Sequence, residues 1–183
     1  GAWLVERAGS ADFGVFLRDL LVEICAVSTI PGSDLERTAR DEQRVYDLLA
    51  GALARRALAG RVAKAPITPE ISRHRAFTFP YYAGTADAYR GRSNLLHVYA
   101  PPGEVAAGRS VALNAHIDTV APHIPPQLEG GTLYGRGACD DKGSCAAIVG
   151  ALALLRELGE RTGTWPQGRI VSMFVTDEES GGN

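Results

Sequence analysis

The sequence predicts an α/β protein in three layers, helix, sheet and helix, built as a single domain over residues 1–183. Two observations carry this. Three short runs, residues 94–100, 110–117 and 169–176, are apolar on both faces, as strands buried beneath helices are. An apolar stretch of helical length, residues 142–158, lies between the last two, and strand, helix, strand in that order implies a parallel crossover.

The remaining elements follow from periodicity and punctuation. Phe13, Phe16, Leu17, Leu20, Leu21 and Ile24 recur at helical spacing, so residues 12–27 form an amphipathic helix that Pro31 and Gly32 break. Ser33 and Glu36 make a capping box for a second helix over about residues 34–58. Its buried stripe is Tyr46, Leu49, Ala50 and Leu53, with Gly60 as the stop. Residues 62–67 read as a strand. Residues 71–92 read as an irregular excursion with an aromatic cluster, Phe77, Phe79, Tyr81 and Tyr82. Gly159 ends the helix that begins at residue 142.

Composition narrows the function classes. Apolar residues make up 45% and charged residues 22%, ordinary for a globular domain with its own core. The net charge of −2, with basic residues spread along the chain, argues against nucleic acid or an anionic membrane surface as a partner. The longest uncharged apolar stretch, within residues 143–155, is too short to span a bilayer. Cys25, Cys139 and Cys145 fit neither a disulfide framework nor a zinc knuckle, and reduced thiols point to the cytoplasm. The chain begins at Gly1, which leaves an upstream leader open, and it stops in a Gly-rich turn after an acidic run, where a truncated domain is expected.

In open α/β sheets ligands bind beyond the C-terminal ends of the strands. Three polar clusters fall on that rim. His116 and Asp118 close one predicted strand, two residues and about 7 Å apart on the same face, so one can bind a metal while the other orients the imidazole. Alone, such a pair is more often a polar strand end. Asp140 precedes the buried helix, where a helix cap is at least as good a reading, but Gly135 and Gly137 before it suggest a tight backbone approach. Asp177, Glu178 and Glu179 end another strand. A solvated acidic turn is the plain alternative, yet three carboxylates crowded on a sheet rim call for a cation or a proton. Together, one imidazole and several carboxylates specify a nitrogen–oxygen site suited to zinc, with cobalt or manganese possible.

These residues resemble a known family. His116-Ile117-Asp118-Thr119-Val120, then Tyr134 through Gly143, then Asp177-Glu178-Glu179-Ser180-Gly181 look like the motifs of the co-catalytic zinc hydrolases. That group includes acetylornithine deacetylase, succinyl-diaminopimelate desuccinylase, carboxypeptidase G, the aminoacylases, and the tripeptidase and carnosine dipeptidase branches. The opening helix running into Ser28-Thr29-Ile30-Pro31-Gly32 is similar too, so the likeness covers residues 12–183. It implies a zinc-exopeptidase-like catalytic domain holding two Zn2+ ions. His116 and Glu179 would each bind one metal, Asp140 would bridge them through a loop with a cis 140–141 peptide bond, Asp118 would orient His116, and Glu178 would be the general base.

The implied reaction is hydrolysis of the amide bond of an N-acyl amino acid or short peptide by metal-activated water. Asp141 stands where the simple deacylases often have Met, and Asp141-Lys142-Gly143 is more like the dipeptidase branches. The family's further acidic ligand, its late His ligand and its inserted lid domain, usually the homodimer surface, are absent from these 183 residues. This part alone is therefore expected to be inactive, a weak metal binder and poorly stable.

Other residues draw plainer readings. Cys139 and Cys145 are packing residues, His97 is structural within its strand, His123 belongs to a loop, and Arg136 serves packing or an ion pair. Two competing functions stand beside the hydrolase. A metal-free scaffold relative conflicts with the intact His116, Asp140 and Glu178. A serine or cysteine hydrolase lacks a Gly-x-Ser-x-Gly elbow and a Cys with a nearby His.

Overall fold

The computed structural model describes residues 1–56, 58, 60–100 and 109–180. In chain order these form α1 (Ala2–Ala8), α2 (Ala11–Cys25), α3 (Leu35–Arg55), β1 (Gly60–Pro66), a 3-10 turn (Pro69–Arg73), α4 (Thr85–Ala88), β2 (Ser93–Tyr99), β3 (Ser110–His116), the hairpin β4 (Gln127–Glu129) and β5 (Thr132–Tyr134), α5 (Lys142–Thr162) and β6 (Arg169–Val175).

Four strands make one mixed sheet in the order β1-β2-β6-β3. The expected parallel crossover is present: β3 and β6, joined through α5, pair in parallel with His116 opposite Val175. β2 runs antiparallel to β6, with Leu95 opposite Phe174. The beginning of β2 therefore lies on the same rim as the ends of β3 and β6. One face of the sheet, including Leu95, Tyr99, Ile170 and Phe174, joins α2, α3 and α5 in a continuous core through Ile24, Tyr46, Leu49, Leu53, Val149 and Leu152. On the opposite face Leu96, Val98, Val171 and Met173 are only half-buried. A second helical layer there is not among the described elements.

Several details depart from the sequence expectations. The cap of α3 is Asp34, whose carboxylate accepts the Arg37 N–H at 3.0 Å, so Ser33 and Glu36 do not form the capping box. On the same helix Ala52, not Ala50, is fully buried. Gly159 does not stop α5. It is buried inside the helix, where a Cβ would meet the Trp165 ring at 2.3 Å, and the helix ends instead at Gly163 in a left-handed conformation (φ +69). Residues 110–112 are exposed rather than buried on both faces, because β3 is an edge strand of this sheet. Helix α1 and the short β4–β5 hairpin were not anticipated, and α4 adds one helical turn to the irregular 71–92 segment. No described helix is long and apolar enough to cross a membrane.

Candidate metal centre

The C-terminal ends of β3 and β6 and the turn before α5 meet at one rim. His116 ends β3 and is largely buried. Its Nε2 lies 3.0 Å from Asp140 Oδ1 and 3.7 Å from Glu178 Oε2. His116, Asp140 and Glu179 each offer one donor atom, and the three atoms lie within 4.8 Å of one another. Among the described residues they are the one group of three or more such side chains close enough to share an ion.

Backbone geometry builds this convergence. Asp140 sits in the turn ahead of α5, but the residue in the cap position is Asp141. Asp140's exposed carboxylate is therefore free of capping duty and reaches His116 instead. Asp141 makes its own link to β3, accepting the His116 N–H at 3.3 Å. The Asp140–Asp141 peptide is cis, as the family likeness implied. Gly137 has φ +84, and a Cβ there would stand 3.0 Å from Thr119 Cγ2 and 3.1 Å from Lys142. Lys142 is buried, and its Nζ donates to the Val27 carbonyl at 2.8 Å, which ties the start of α5 to the end of α2.

Asp118 is fully buried and faces two ways. Its carboxylate accepts the N–H groups of Glu178 and Glu179 at 3.2 and 3.0 Å. His116 Nδ1 lies 3.1 Å from the Asp118 carbonyl oxygen and 3.6 Å from its carboxylate, so the nearer contact that orients the imidazole is the backbone one. The carboxylate's closest partners belong to the acidic turn.

The electrostatics are those of a site short of positive charge. Burial pulls the His116 imidazole down, but Asp118 and then Asp140 outweigh it and carry it up to about 9. Burial, and next the facing Asp140, push the Glu179 carboxyl up. A proton or a divalent cation among these groups relieves the same repulsion.

The other singled-out residues fall outside this cluster. Cys139 is exposed, while Cys25 and Cys145 are buried free thiols that burial pushes up, Cys25 to about 11. Cys145 Sγ donates to the His116 carbonyl at 3.5 Å. His97 is fully buried in β2, and Arg136 donates to the Pro122 carbonyl at 3.3 Å. His123 lies in a loop and is not one of the three clustered donors. Gly181, the last residue of the third motif, lies outside the described residues. A groove at the far end of the sheet, lined by Val111, Leu155, Pro166 and Ile170, takes no part in the site.

Sequence reasoning missed the polar residues beneath the acidic turn, namely Glu42, Tyr82, Tyr89 and Arg92. One signal was available. Stepping back one helical turn from Tyr46 along the apolar stripe of α3 lands on Glu42, a carboxylate on a face that packs inward.

Comparison with known proteins agrees with this geometry. Residues 112–183, which span all three motif clusters, match the family described as Peptidase family M20/M25/M40. This stretch is similar to that family. A probable carboxypeptidase of Emericella nidulans is 38% identical over 98 residues, covering 50% of this chain and 22% of that protein. Carboxypeptidase G2 of Pseudomonas sp. is 40% identical over 79 residues, 40% of this chain and 18% of that protein. The chain spans about a fifth of these relatives' length. In fold, a Staphylococcus aureus tripeptidase matches 92% of this chain and 38% of its own with a TM-score of 0.58 at 21% identity.

Proposed function

We propose that this chain forms part of the catalytic domain of a metal-dependent hydrolase that cleaves the amide bond of an N-acyl amino acid or short peptide. The observation that carries the reading is the convergence of His116, Asp140 and Glu179 donor atoms within 4.8 Å, from three separate segments. M20 relatives named as carboxypeptidases support the substrate class.

The donor set fits the metal the fold family implies. One imidazole nitrogen with two carboxylates suits zinc, with cobalt or manganese as substitutes. Three donors do not close the shells of two ions, so a dinuclear centre would need further ligands. Divalent cations bound here would polarise a substrate carbonyl and acidify water toward a pKa of about 7.

The chain's own residues supply the rest. His116 and Glu179 would hold the cations, and Asp140, the more exposed of the two carboxylates, would be shared between them. Glu178 keeps a half-exposed carboxylate 3.7 Å from His116 Nε2. It takes the proton of the attacking water and returns it to the leaving nitrogen. Asp118 holds the backbone of both glutamates. A metal-free scaffold would have no use for Glu178 beside this donor set.

The test uses the full-length protein, stripped with a chelator and reloaded with zinc, against a panel of N-acyl amino acids and dipeptides. Zinc should restore hydrolysis. Glu178→Gln should keep its zinc and lose turnover by about 100-fold or more. Near-normal turnover in that variant, or hydrolysis that survives the chelator, overturns the reading.

A further inference from the structure

Beneath the Asp177-Glu178-Glu179 turn lies a buried polar cluster that the proposed chemistry does not use. Arg92, just ahead of β2, pairs with Glu42 of α3 through two contacts, Nε to Oε2 at 2.9 Å and Nη2 to Oε1 at 2.6 Å. Arg92 Nη2 also donates to Thr176 Oγ1 at 3.1 Å, and the Thr176 hydroxyl donates to Glu42. Arg92 Nη1 donates to the Ala88 carbonyl at 3.0 Å and to the Tyr82 hydroxyl oxygen. Two phenols complete the cluster. Tyr82 donates to Asp177 Oδ1 at 2.5 Å, and Tyr89 donates to Asp177 Oδ2 at 2.6 Å.

The target of these contacts is unusual. Asp177 is fully buried, and among the described residues it is the one non-glycine with positive φ, at 72°. A side chain with a Cβ resists that conformation. Both oxygens of its carboxylate are nevertheless held, with the Arg92 guanidinium 3.6 Å away. A buried ion pair adds little net stability over apolar packing of similar size. What a fully partnered polar cluster adds is direction. The left-handed step at Asp177 turns the chain off the end of β6 so that the next two N–H groups meet the Asp118 carboxylate. It thereby presents the Glu178 and Glu179 carboxylates to His116 and Asp140.

We infer that Tyr82 and Tyr89, anchored by the buried Arg92–Glu42 pair, are positioning residues that hold Asp177 left-handed and so aim Glu178 and Glu179 into the metal centre. The inference rests on the proposed hydrolase reading for its consequence, but its geometry can be tested separately. It also gives the 71–92 excursion a role, since that segment delivers both phenols from outside the sheet.

The experiment uses the full-length protein with Tyr82→Phe, Tyr89→Phe and the double variant. Each removes a hydroxyl and keeps the ring, and the Tyr82 position is only half-buried, so Tyr82→Phe alone serves if the double variant does not fold. The double variant should bind zinc at least tenfold more weakly by chelator competition. Its kcat should fall at least tenfold while KM changes less than threefold, because the lost hydroxyls bond to Asp177. Its crystal structure should show Asp177 out of the left-handed region and Glu179 withdrawn from His116. Parental zinc affinity and kcat in a folded variant, or an unmoved Asp177 in its structure, overturn the inference. A parent protein that neither binds zinc nor hydrolyses amides sinks the hydrolase reading instead, and the crystal structure still decides the positioning.

Discussion

Asp118 and Glu179 are joined across the sheet rim: the Asp118 carboxylate, at the end of β3, accepts the Glu179 backbone N–H at 3.0 Å beyond the end of β6. The same carboxylate takes the Glu178 N–H at 3.2 Å. One buried side chain therefore positions the backbone of both glutamates.

Replacing Asp118 should act through the turn and not only through the imidazole. Asp118→Ala leaves two N–H groups without their acceptor, each costing about 1–3 kcal/mol where buried. Zinc affinity of the full-length protein should fall about 10–100-fold, as for other residues that support metal ligands. Titration with a competing chelator checks this. An Asp118→Ala protein with unchanged zinc affinity would show that the N–H contacts do not govern the site.

Gly137 is constrained by both conformation and space. Alanine there would keep φ +84 at a cost and push its Cβ to 3.0 Å from Thr119 and 3.1 Å from the buried Lys142 stem. Gly137→Ala should destabilise the protein by about 2–3 kcal/mol. Because the same turn carries Asp140, zinc binding should weaken as well. Denaturant unfolding and zinc titration on one preparation separate the two effects, and wild-type values in both would refute the argument.

His97 should make the fold acid-sensitive. Its ring is fully buried. Burial holds the imidazole below its ordinary value of 6.5, against a smaller opposing effect of the Leu58 backbone. The unfolded chain then binds a proton at this residue that the folded chain refuses. Stability is full above about pH 6.5 and declines as the pH falls below it. His97→Phe should flatten the dependence of the melting temperature on pH between about 7 and 5 relative to wild type. Parallel profiles for the two proteins would remove His97 as the cause.

How much of this was legible in the sequence varies by element, for physical reasons. The β3–α5–β6 crossover was readable because strands and a helix that pack against each other must be apolar on the packed face. The rim cluster was readable only in part: His116 and Glu179 follow apolar strands and Asp140 lies in the turn before α5, but singling out these three as ligands rested on the family resemblance, and the structure brings their donor atoms together. The cap of α3 and the end of α5 were misread because local signals compete. Asp34 outbids Ser33 for the N–H of Arg37, and Gly159 serves the close approach of Trp165 and not a helix stop. The Arg92 cluster was opaque because it joins residues as far apart as 42 and 177, and its partners are set by the antiparallel register of β2 on β6. No local pattern around Tyr82 or Tyr89 announces Asp177 as their acceptor.

The most direct test of the metal centre is anomalous diffraction at the zinc edge from crystals of the full-length protein grown with zinc. A peak should lie between His116 Nε2 and the carboxylates of Asp140 and Glu179. Zinc-loaded crystals with no anomalous density at that position, and those three side chains contacting only one another, would contradict the account.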